Sequence, residues 1–93
     1  MIVFNQANTE RVEFLLDELN VRGFTFFEDV QGRGSVNGEP RRGTHTWPEM
    51  NSAVLTVVPD EKVDELLSTV HKLDRRNEQV GVKAFVWNIE QMV

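Results

Sequence analysis

Two groups of residues in this chain are suited to binding an anion. The first lies between Gly32 and Asn51, where three arginines offer planar guanidinium groups that match two oxygens of a phosphate or carboxylate at once. Glycines flank the first arginine, so successive backbone N–H groups there are able to form a concave anion nest. The candidate residues are Gly32, Arg33, Gly34, Arg41 and Arg42. The alternative is a flexible loop with solvated arginines, because the glycine spacing matches neither the dinucleotide fingerprint nor the P-loop.

The second anion candidate is Lys83, which follows Gly81 at the start of a predicted strand. Side chains alternate along a strand, so this lysine shares a face with Phe85 and Trp87. Its ammonium group must therefore extend past these apolar side chains to water or meet an anion. The sequence leaves both outcomes open.

Patterns for catalysis and metal binding are weaker. The chain has no cysteine and two histidines, His45 and His71, and no residue two or four positions away completes a metal ligand set. His45 with Glu49 is the weak metal candidate. Trp47, between them, is either an anchor for a protein partner or a residue that folds back onto the domain. No serine, histidine or aspartate stands in the context of a nucleophile and its base, so we expect no enzyme activity and no catalytic residue.

The composition indicates one ordinary globular domain. The 93 residues, 40% hydrophobic and 27% charged, fit a single domain with a thin core. The net charge of −5 opposes binding to nucleic acid or to an anionic membrane surface. The lack of cysteine, of a signal-peptide pattern and of a long apolar run predicts a cytoplasmic protein that is not inserted in a membrane.

The hydrophobic pattern predicts four strands and two helices in the order β-α-β, loop, β-α-β. The strands are predicted over residues 1–5, 24–30, 53–58 and 83–89. The second strand departs from strict alternation, which indicates a bulge or an edge covered by a neighbour. The first helix is predicted to begin at Asn8 or Thr9 and to end with Gly23 as its cap, and the second to begin at Asp60.

This order is that of the ferredoxin-like fold, in which two right-handed crossovers form a four-stranded antiparallel sheet with both helices on one face. The other face carries too many apolar side chains for free exposure, so we expect a partner subunit to cover it. We therefore predict one α+β domain over residues 1–93 that forms an oligomer. Residues 32–51 are predicted to be a loop, and a loop of about 20 residues in so small a domain is typically functional or disordered.

Several short motifs together resemble the PII-like signalling family. They are Val30-Gln31-Gly32-Arg33-Gly34 after strand two, Val58-Pro59-Asp60 before helix two, and Gly81-Val82-Lys83-Ala84-Phe85-Val86 in the last strand. The resemblance covers nearly the whole chain in order and spacing. It implies a ferredoxin-like homotrimer whose clefts between subunits bind adenine nucleotides or related small effectors, and whose long loop docks on a transporter or an enzyme.

The resemblance also assigns places to the candidate residues. It implies that Gly32, Arg33 and Gly34 lie at the base of the loop, and that Gly81 and Lys83 belong to the segment that contacts phosphates.

The sequence departs from the family's commonest pattern in three places. It has no tyrosine, so the loop-tip tyrosine that is modified in some members is absent. Ser35-Val36 stand in place of an Arg-Gln pair whose glutamine helps to hold magnesium and 2-oxoglutarate. The sequence reaches Val93 without the basic C-terminal extension that completes a triphosphate site. We therefore expect AMP, ADP, a cyclic nucleotide or a simple anion as effector, with no certain cofactor.

Three functions fit these observations. The first is a trimeric regulator that senses an effector at its clefts and signals through the loop 32–51. The second is a metal-linked stress protein, because copper-tolerance proteins of the CutA kind share this trimeric architecture and some PII-like proteins accompany metal-efflux systems. The third is an interaction domain without a small ligand.

Overall fold

The structure of the chain is a computed structural model, and it describes residues 1–30, 50–76 and 81–93 together with the backbone of 32–33 and 40–41. Its elements in chain order are β1 (Ile2–Asn5), a 3-10 turn (Gln6–Asn8), α1 (Thr9–Glu18), β2 (Thr25–Val30), β3 (Gly32–Arg33), β4 (Pro40–Arg41), β5 (Asn51–Leu55), α2 (Asp60–Arg76) and β6 (Val82–Ala84).

β2, β5, β1 and β6 form one antiparallel sheet, with the strands in that order. β1 lies inside the sheet, where Ile2 is opposite Val54 of β5 on one side and Ala84 of β6 on the other. β2 and β6 are therefore the two edge strands. Both helices pack on one face of this sheet, which confirms the predicted ferredoxin-like α+β fold.

The core fills the space between the sheet and the helices. It consists of Ile2, Phe4, Val12, Leu15, Leu16, Val21, Val54, Leu66, Val70 and Val82. The core residues recur three or four positions apart in the helices, as the hydrophobic pattern predicts, and Ile2 and Phe4 alternate in β1. In the central strand β5, Ser52, Ala53 and Val54 are buried in succession. Phe26 extends the core towards the β2 edge, with its ring centroid 6.3 Å from that of Phe4.

The opposite face of the sheet, which we call the open face, has no helix on it in the described part of the chain. Residues directly opposite each other on neighbouring strands share a face. One row across the open face consists of Lys83, Val3, Ala53 and Phe27. Phe27 is 43% exposed, and Phe85, which continues the pairing beyond β6, is 55% exposed. Ala53 in the middle of the row is only 5% exposed, so the exposed apolar surface consists of these aromatic side chains. Exposed aromatic side chains on one face are typical of a surface that another protein surface covers.

β2 contains a bulge, which lies further along the strand than the broken alternation at residues 24–27. The register shifts between Phe27 and Val30. Two residues of β2, Glu28 and Asp29, face a single residue of β5 there. Asp29 has a φ of 56°, a left-handed conformation that Asp and Asn tolerate better than most residues.

β5 is offset from the apolar run that predicted it, since it covers Asn51–Leu55 instead of residues 53–58. Its pairing with β2 ends where Leu55 lies opposite Thr25, the first residue of β2. The apolar run thus continues past the point where the neighbouring strand begins, and hydrophobicity alone does not mark the end of the strand.

β6 is shorter than predicted, covering Val82–Ala84 instead of residues 83–89. Phe85 still forms two backbone hydrogen bonds of 2.8 Å with Met1. Beyond Phe85 the segment has no regular strand pairing among the described residues. Trp87 in this segment is 54% exposed, so its apolar character reflects a surface and not a buried strand.

The predicted loop 32–51 is not structureless throughout. β3 and β4 pair as a short antiparallel ribbon, with Gly32 opposite Arg41. Asn51, at the end of the predicted loop, already belongs to β5. The ribbon is built from glycine, proline and arginine, which have low strand propensity or no apolar side chain, so it leaves no trace in the hydrophobic pattern.

α2 begins at Asp60, as the sequence predicted. Asp60 and Glu61 lie in its first turn, and Arg75 and Arg76 lie in its last turn. These positions match the partial charges at the two ends of a helix, so each pair of side chains stabilises the end where it stands.

The predicted cap of α1 is wrong, because the helix ends before Gly23 is reached. Asn20, with a φ of 62°, takes the left-handed position after the helix. The Val21 N–H donates to the Leu16 carbonyl at 2.8 Å, and the Asn20 N–H donates to the Asp17 carbonyl at 3.0 Å. These are the two hydrogen bonds of a Schellman motif, in which glycine and asparagine are the usual residues.

Replacing Asn20 with valine should lower the free energy of unfolding by about 1–2 kcal/mol, because a β-branched side chain opposes the left-handed conformation. Replacing it with glycine should leave stability nearly unchanged. Urea unfolding followed by circular dichroism measures both variants. Equal stability of the valine and glycine variants would contradict this account of the helix end.

Candidate functional site

The outer edge of β6 is occupied by a carboxylate from α2. The Val82 N–H, which points away from β1, donates to Oδ1 of Asp74 at 3.0 Å. The other carboxylate oxygen, Oδ2, lies 3.3 Å from Nζ of Lys83. Asp74 therefore satisfies an edge-strand donor and an ammonium group together, and it fixes the end of α2 against β6.

Lys83 thus has an anion partner within its own chain. Its side chain begins on the open face and reaches round the edge of the sheet to Asp74. The Lys83 side chain is nevertheless 70% exposed, whereas that of Asp74 is 23% exposed. Exposed ion pairs are worth little, typically about 0–1 kcal/mol, so an incoming anion is able to compete for this ammonium group.

The pKa of the Asp74 carboxyl is lowered from its ordinary value. The Val82 N–H hydrogen bond is the main cause, and the hydrogen bond and positive charge of Lys83 add to it, while partial burial opposes it. Each of the lowering interactions favours the charged form of the carboxylate. Asp74 is therefore a stable negative charge that positions Lys83 near neutral pH.

Gly81 begins the same segment and leaves open space beside it. Its carbonyl accepts a hydrogen bond from the Asn5 N–H at 3.2 Å. A methyl group built on Gly81 would meet no atom within 4 Å, and its backbone is not in the left-handed region. Among the described residues, therefore, neither packing nor backbone conformation demands glycine here.

The β3–β4 ribbon gives the only structural information on the arginine cluster, since Gly32, Arg33 and Arg41 are described by their backbone alone. Pairing brings Gly32 opposite Arg41, so the two halves of the cluster are adjacent in space. The remaining sequence-predicted residues lie outside the described residues: they are Gly34, Arg42, His45, Trp47 and Glu49.

Lys83 and the end of β2, after which the glycine–arginine segment begins, lie at opposite edges of the sheet. Lys83 is on β6, and the glycine–arginine segment follows β2 directly. With neighbouring strands about 4.8 Å apart, the two edges of a four-stranded sheet are separated by roughly 14 Å. The sheet therefore separates Lys83 from the end of β2.

An apolar groove that the sequence did not predict runs beside the Lys83 segment. It has a volume of about 680 Å³ and lies between the end of β5, the start of α2 and the chain after β6. Its apolar walls include Val57, Leu67, Phe85 and Trp87. The run of apolar residues after Lys83 is the available signal for this groove, but its alternation predicts a strand. A flat apolar group would fit such a groove.

The described ranges contain no group of three histidine, aspartate or glutamate side chains that could hold a metal ion. No helix in the same ranges is both long enough and apolar enough to cross a bilayer.

The whole chain matches a known protein family. The family model for nitrogen regulatory protein P-II matches residues 1–93, and the chain therefore belongs to the P-II family of regulatory proteins. This confirms the family resemblance of the sequence motifs. A search of curated proteins gave no match.

Solved structures of a PII-like protein share the fold. CPII from Thiomonas intermedia K12, a nitrogen regulatory PII-like protein bound to ADP, AMP and bicarbonate, is 25% identical with a TM-score of 0.70, over 88% of this chain and 76% of CPII. The apo form of CPII is 22% identical with a TM-score of 0.65, over 88% of this chain and 78% of CPII.

Replacing Asp74 with asparagine should lower the free energy of unfolding by about 1 kcal/mol at pH 7, since the charged acceptor of two hydrogen bonds is lost. A carboxyl whose pKa is lowered in the folded state contributes stability above its unfolded pKa, and this contribution disappears as pH falls through the folded value. The difference in free energy of unfolding between the natural protein and Asp74→Asn should therefore become smaller as the pH falls below 3.8, the ordinary pKa of this carboxyl.

Urea unfolding at pH 7 and pH 3 measures this difference. Asp64→Asn, which removes an exposed carboxylate from the same helix, is the control and should have little effect at either pH. An Asp74→Asn deficit of the same size at both pH values would count against the assigned role of the charge.

Proposed function

We propose that this P-II family protein is an oligomeric regulator that binds a small anionic effector, an adenine nucleotide of the AMP or ADP type, in clefts between subunits. The single observation that carries the proposal is the position of Lys83 on the β6 edge, across the sheet from the end of β2, after which the candidate glycine–arginine segment begins. The sheet separates Lys83 from the end of β2 by roughly 14 Å within one chain. The proposed cleft forms where the β6 edge of one copy lies beside the β2 edge of another.

The open face supports the assembly. It carries Val3, Ala53 and Phe27 in one row with Lys83 at its β6 end, and its aromatic side chains are substantially exposed. Burying such a face against other copies stabilises a small domain whose own core is thin. We propose a homotrimer, the assembly that the family resemblance implies, in which each β6 edge lies beside a neighbour's β2 edge.

The chemistry of the effector follows from the Lys83 segment. An exposed ammonium group, held by a weak ion pair, is suited to a phosphate, and Gly81 leaves room for the backbone to be approached closely. The apolar groove that continues from this segment is suited to a flat ring system such as a nucleobase. CPII, which shares the fold at 25% identity, is described with ADP, AMP and bicarbonate bound.

The signalling output is proposed to pass through residues 32–51. This segment follows the β2 edge, where the proposed cleft lies. It contains the β3–β4 ribbon and several glycines, and we propose that effector binding shifts its conformational equilibrium. The target is proposed to be a membrane transporter or an enzyme, and the location to be the cytoplasm, as the lack of cysteine suggests. Membership of the P-II family favours this function over a metal-tolerance protein.

Adding ADP or AMP should raise the melting temperature of the protein through mass action, and isothermal titration should detect binding. Lys83→Gln should weaken the affinity about 10-fold or more, because a hydrogen bond to a charged phosphate is lost. Lys72→Gln, an exposed lysine on α2, removes the same charge away from the cleft and should bind like the natural protein.

The same samples should have a light-scattering mass of about 32 kDa, three times the 10.7 kDa of one chain. No binding of any adenine nucleotide, or equal affinities for the Lys83→Gln and Lys72→Gln variants, would contradict the proposed function.

A further inference from the structure

Three distant segments of the chain meet at the two residues that end β1. The Asn5 N–H donates to the Gly81 carbonyl at 3.2 Å, and the Gln6 N–H donates to the Met50 carbonyl at 2.9 Å. The side-chain amide of Gln6 donates from Nε2 to Oδ1 of Asp29 at 2.5 Å. This junction therefore connects the start of the Lys83 segment with both sides of residues 32–51, because Asp29 precedes that stretch and Met50 lies near its end.

The turn that carries Gln6 is held in place. Asn5 is only 7% exposed, and its side-chain oxygen accepts a hydrogen bond from the Ala7 N–H at 2.8 Å, which closes the 3-10 turn. The Thr9 hydroxyl donates to the Gln6 carbonyl at 2.8 Å. The backbone of Gln6 is thus fixed on both sides, and its side chain leaves the turn in a defined direction towards β2.

Asp29, the partner of Gln6, lies in the bulge of β2. It has a φ of 56°, a conformation that costs free energy for any residue except glycine. The Gln6 amide binds its carboxylate, and charge-assisted hydrogen bonds are stronger than neutral ones. A residue outside β2 therefore stabilises the bulge that directs the chain out of this edge strand.

The energetics of this contact suit a switch. Both side chains are exposed, so the hydrogen bond competes with water and its net contribution is small, on the order of 1 kcal/mol. A contact of this size is broken or strengthened by a small displacement of either residue. A shift of β6 against β1 would act on Asn5 and hence on the neighbouring Gln6, since Asn5 is bonded to Gly81.

We propose that Gln6 is a positioning residue that couples effector binding at the Gly81–Lys83 segment to the bulge at Asp29 and to Met50. This inference rests on the proposed function, because it needs an effector at that segment. In this proposal Gln6 acts without contacting the effector. It transmits a change in the β1–β6 pairing to the two strand ends that flank residues 32–51.

A donor–acceptor exchange tests the contact itself. Gln6→Glu places a second carboxylate against Asp29 and breaks the bond. Asp29→Asn alone keeps it, because the asparagine oxygen still accepts from Gln6 and asparagine tolerates the left-handed backbone. The double variant Gln6→Glu with Asp29→Asn restores a bond of reversed polarity. Glu28→Gln removes a neighbouring exposed charge without touching the contact and serves as the control.

Amide hydrogen exchange over residues 27–30 and 50–53, without and with saturating ADP, is the readout. Without ligand, Gln6→Glu should exchange about fivefold faster, as expected for losing one such hydrogen bond. The double variant and Glu28→Gln should exchange like the natural protein, and Asp29→Asn should lie between the natural protein and Gln6→Glu because its hydrogen bond is neutral. ADP should change exchange at these residues in the natural protein and in the double variant, and this response should be lost in Gln6→Glu.

The outcomes separate the two hypotheses. A natural protein that binds no adenine nucleotide contradicts the proposed function, and the coupling falls with it. A natural protein that binds ADP, with a full exchange response retained in Gln6→Glu, overturns the coupling alone. A purely structural glutamine would shift exchange equally with and without ADP. The coupling is also overturned if the double variant does not recover the ADP response, because the response would then not depend on the contact between residues 6 and 29.

Discussion

The antiparallel order of the sheet is the constraint on which the remaining arguments depend. β1 and β5 occupy its centre because their apolar runs pack under both helices, and β2 and β6 are left as edges. Lys83 lies on the β6 edge, the candidate glycine–arginine segment follows β2, and the open face carries exposed aromatic side chains. The proposed function assigns Lys83 and the glycine–arginine segment to one cleft between two copies, so ligand binding would depend on assembly.

Hydrogen bonds at the strand ends connect the sheet edges to α2 and to the chain on either side of residues 32–51. Asp74 secures β6 to α2 while it positions Lys83, and the Asn5–Gln6 turn joins β6, β2 and the end of residues 32–51. These contacts are partly or fully exposed and individually weak. They are suited to being rearranged by a ligand, whereas the buried apolar core keeps the sheet and helices fixed.

The sequence predicted what hydrophobic periodicity controls, namely the order of elements, the two helices and the central place of β5. It did not predict features that depend on the backbone or on tertiary contacts. The left-handed residue that follows the helix is Asn20 and not Gly23. The sequence did not distinguish the two positions because asparagine and glycine both tolerate the left-handed conformation. The β3–β4 ribbon has no apolar signature. The apolar residues after Ala84 predicted a strand because a groove wall and a strand face share the same composition.

Of the candidate site residues, Gly81 and Lys83 are described with their surroundings. Strand alternation predicted that Lys83 shares a face with Phe85, and both lie on the open face. The partner of Lys83, Asp74, could not be predicted, because their contact depends on where α2 meets β6 in three dimensions. The same is true of Gln6 and Asp29, which lie on different elements and carry no motif. The roles of the arginine cluster, His45 and Trp47 stay predictions.

Subunit complementation tests most directly whether the effector site is shared between copies. Lys83→Gln and Arg33→Gln chains should each bind ADP poorly alone. After the two are unfolded together and refolded at equal amounts, about a quarter of the clefts should combine an intact Lys83 from one copy with an intact Arg33 from another and bind with natural affinity. No recovery of high-affinity sites in the mixture would contradict a shared cleft.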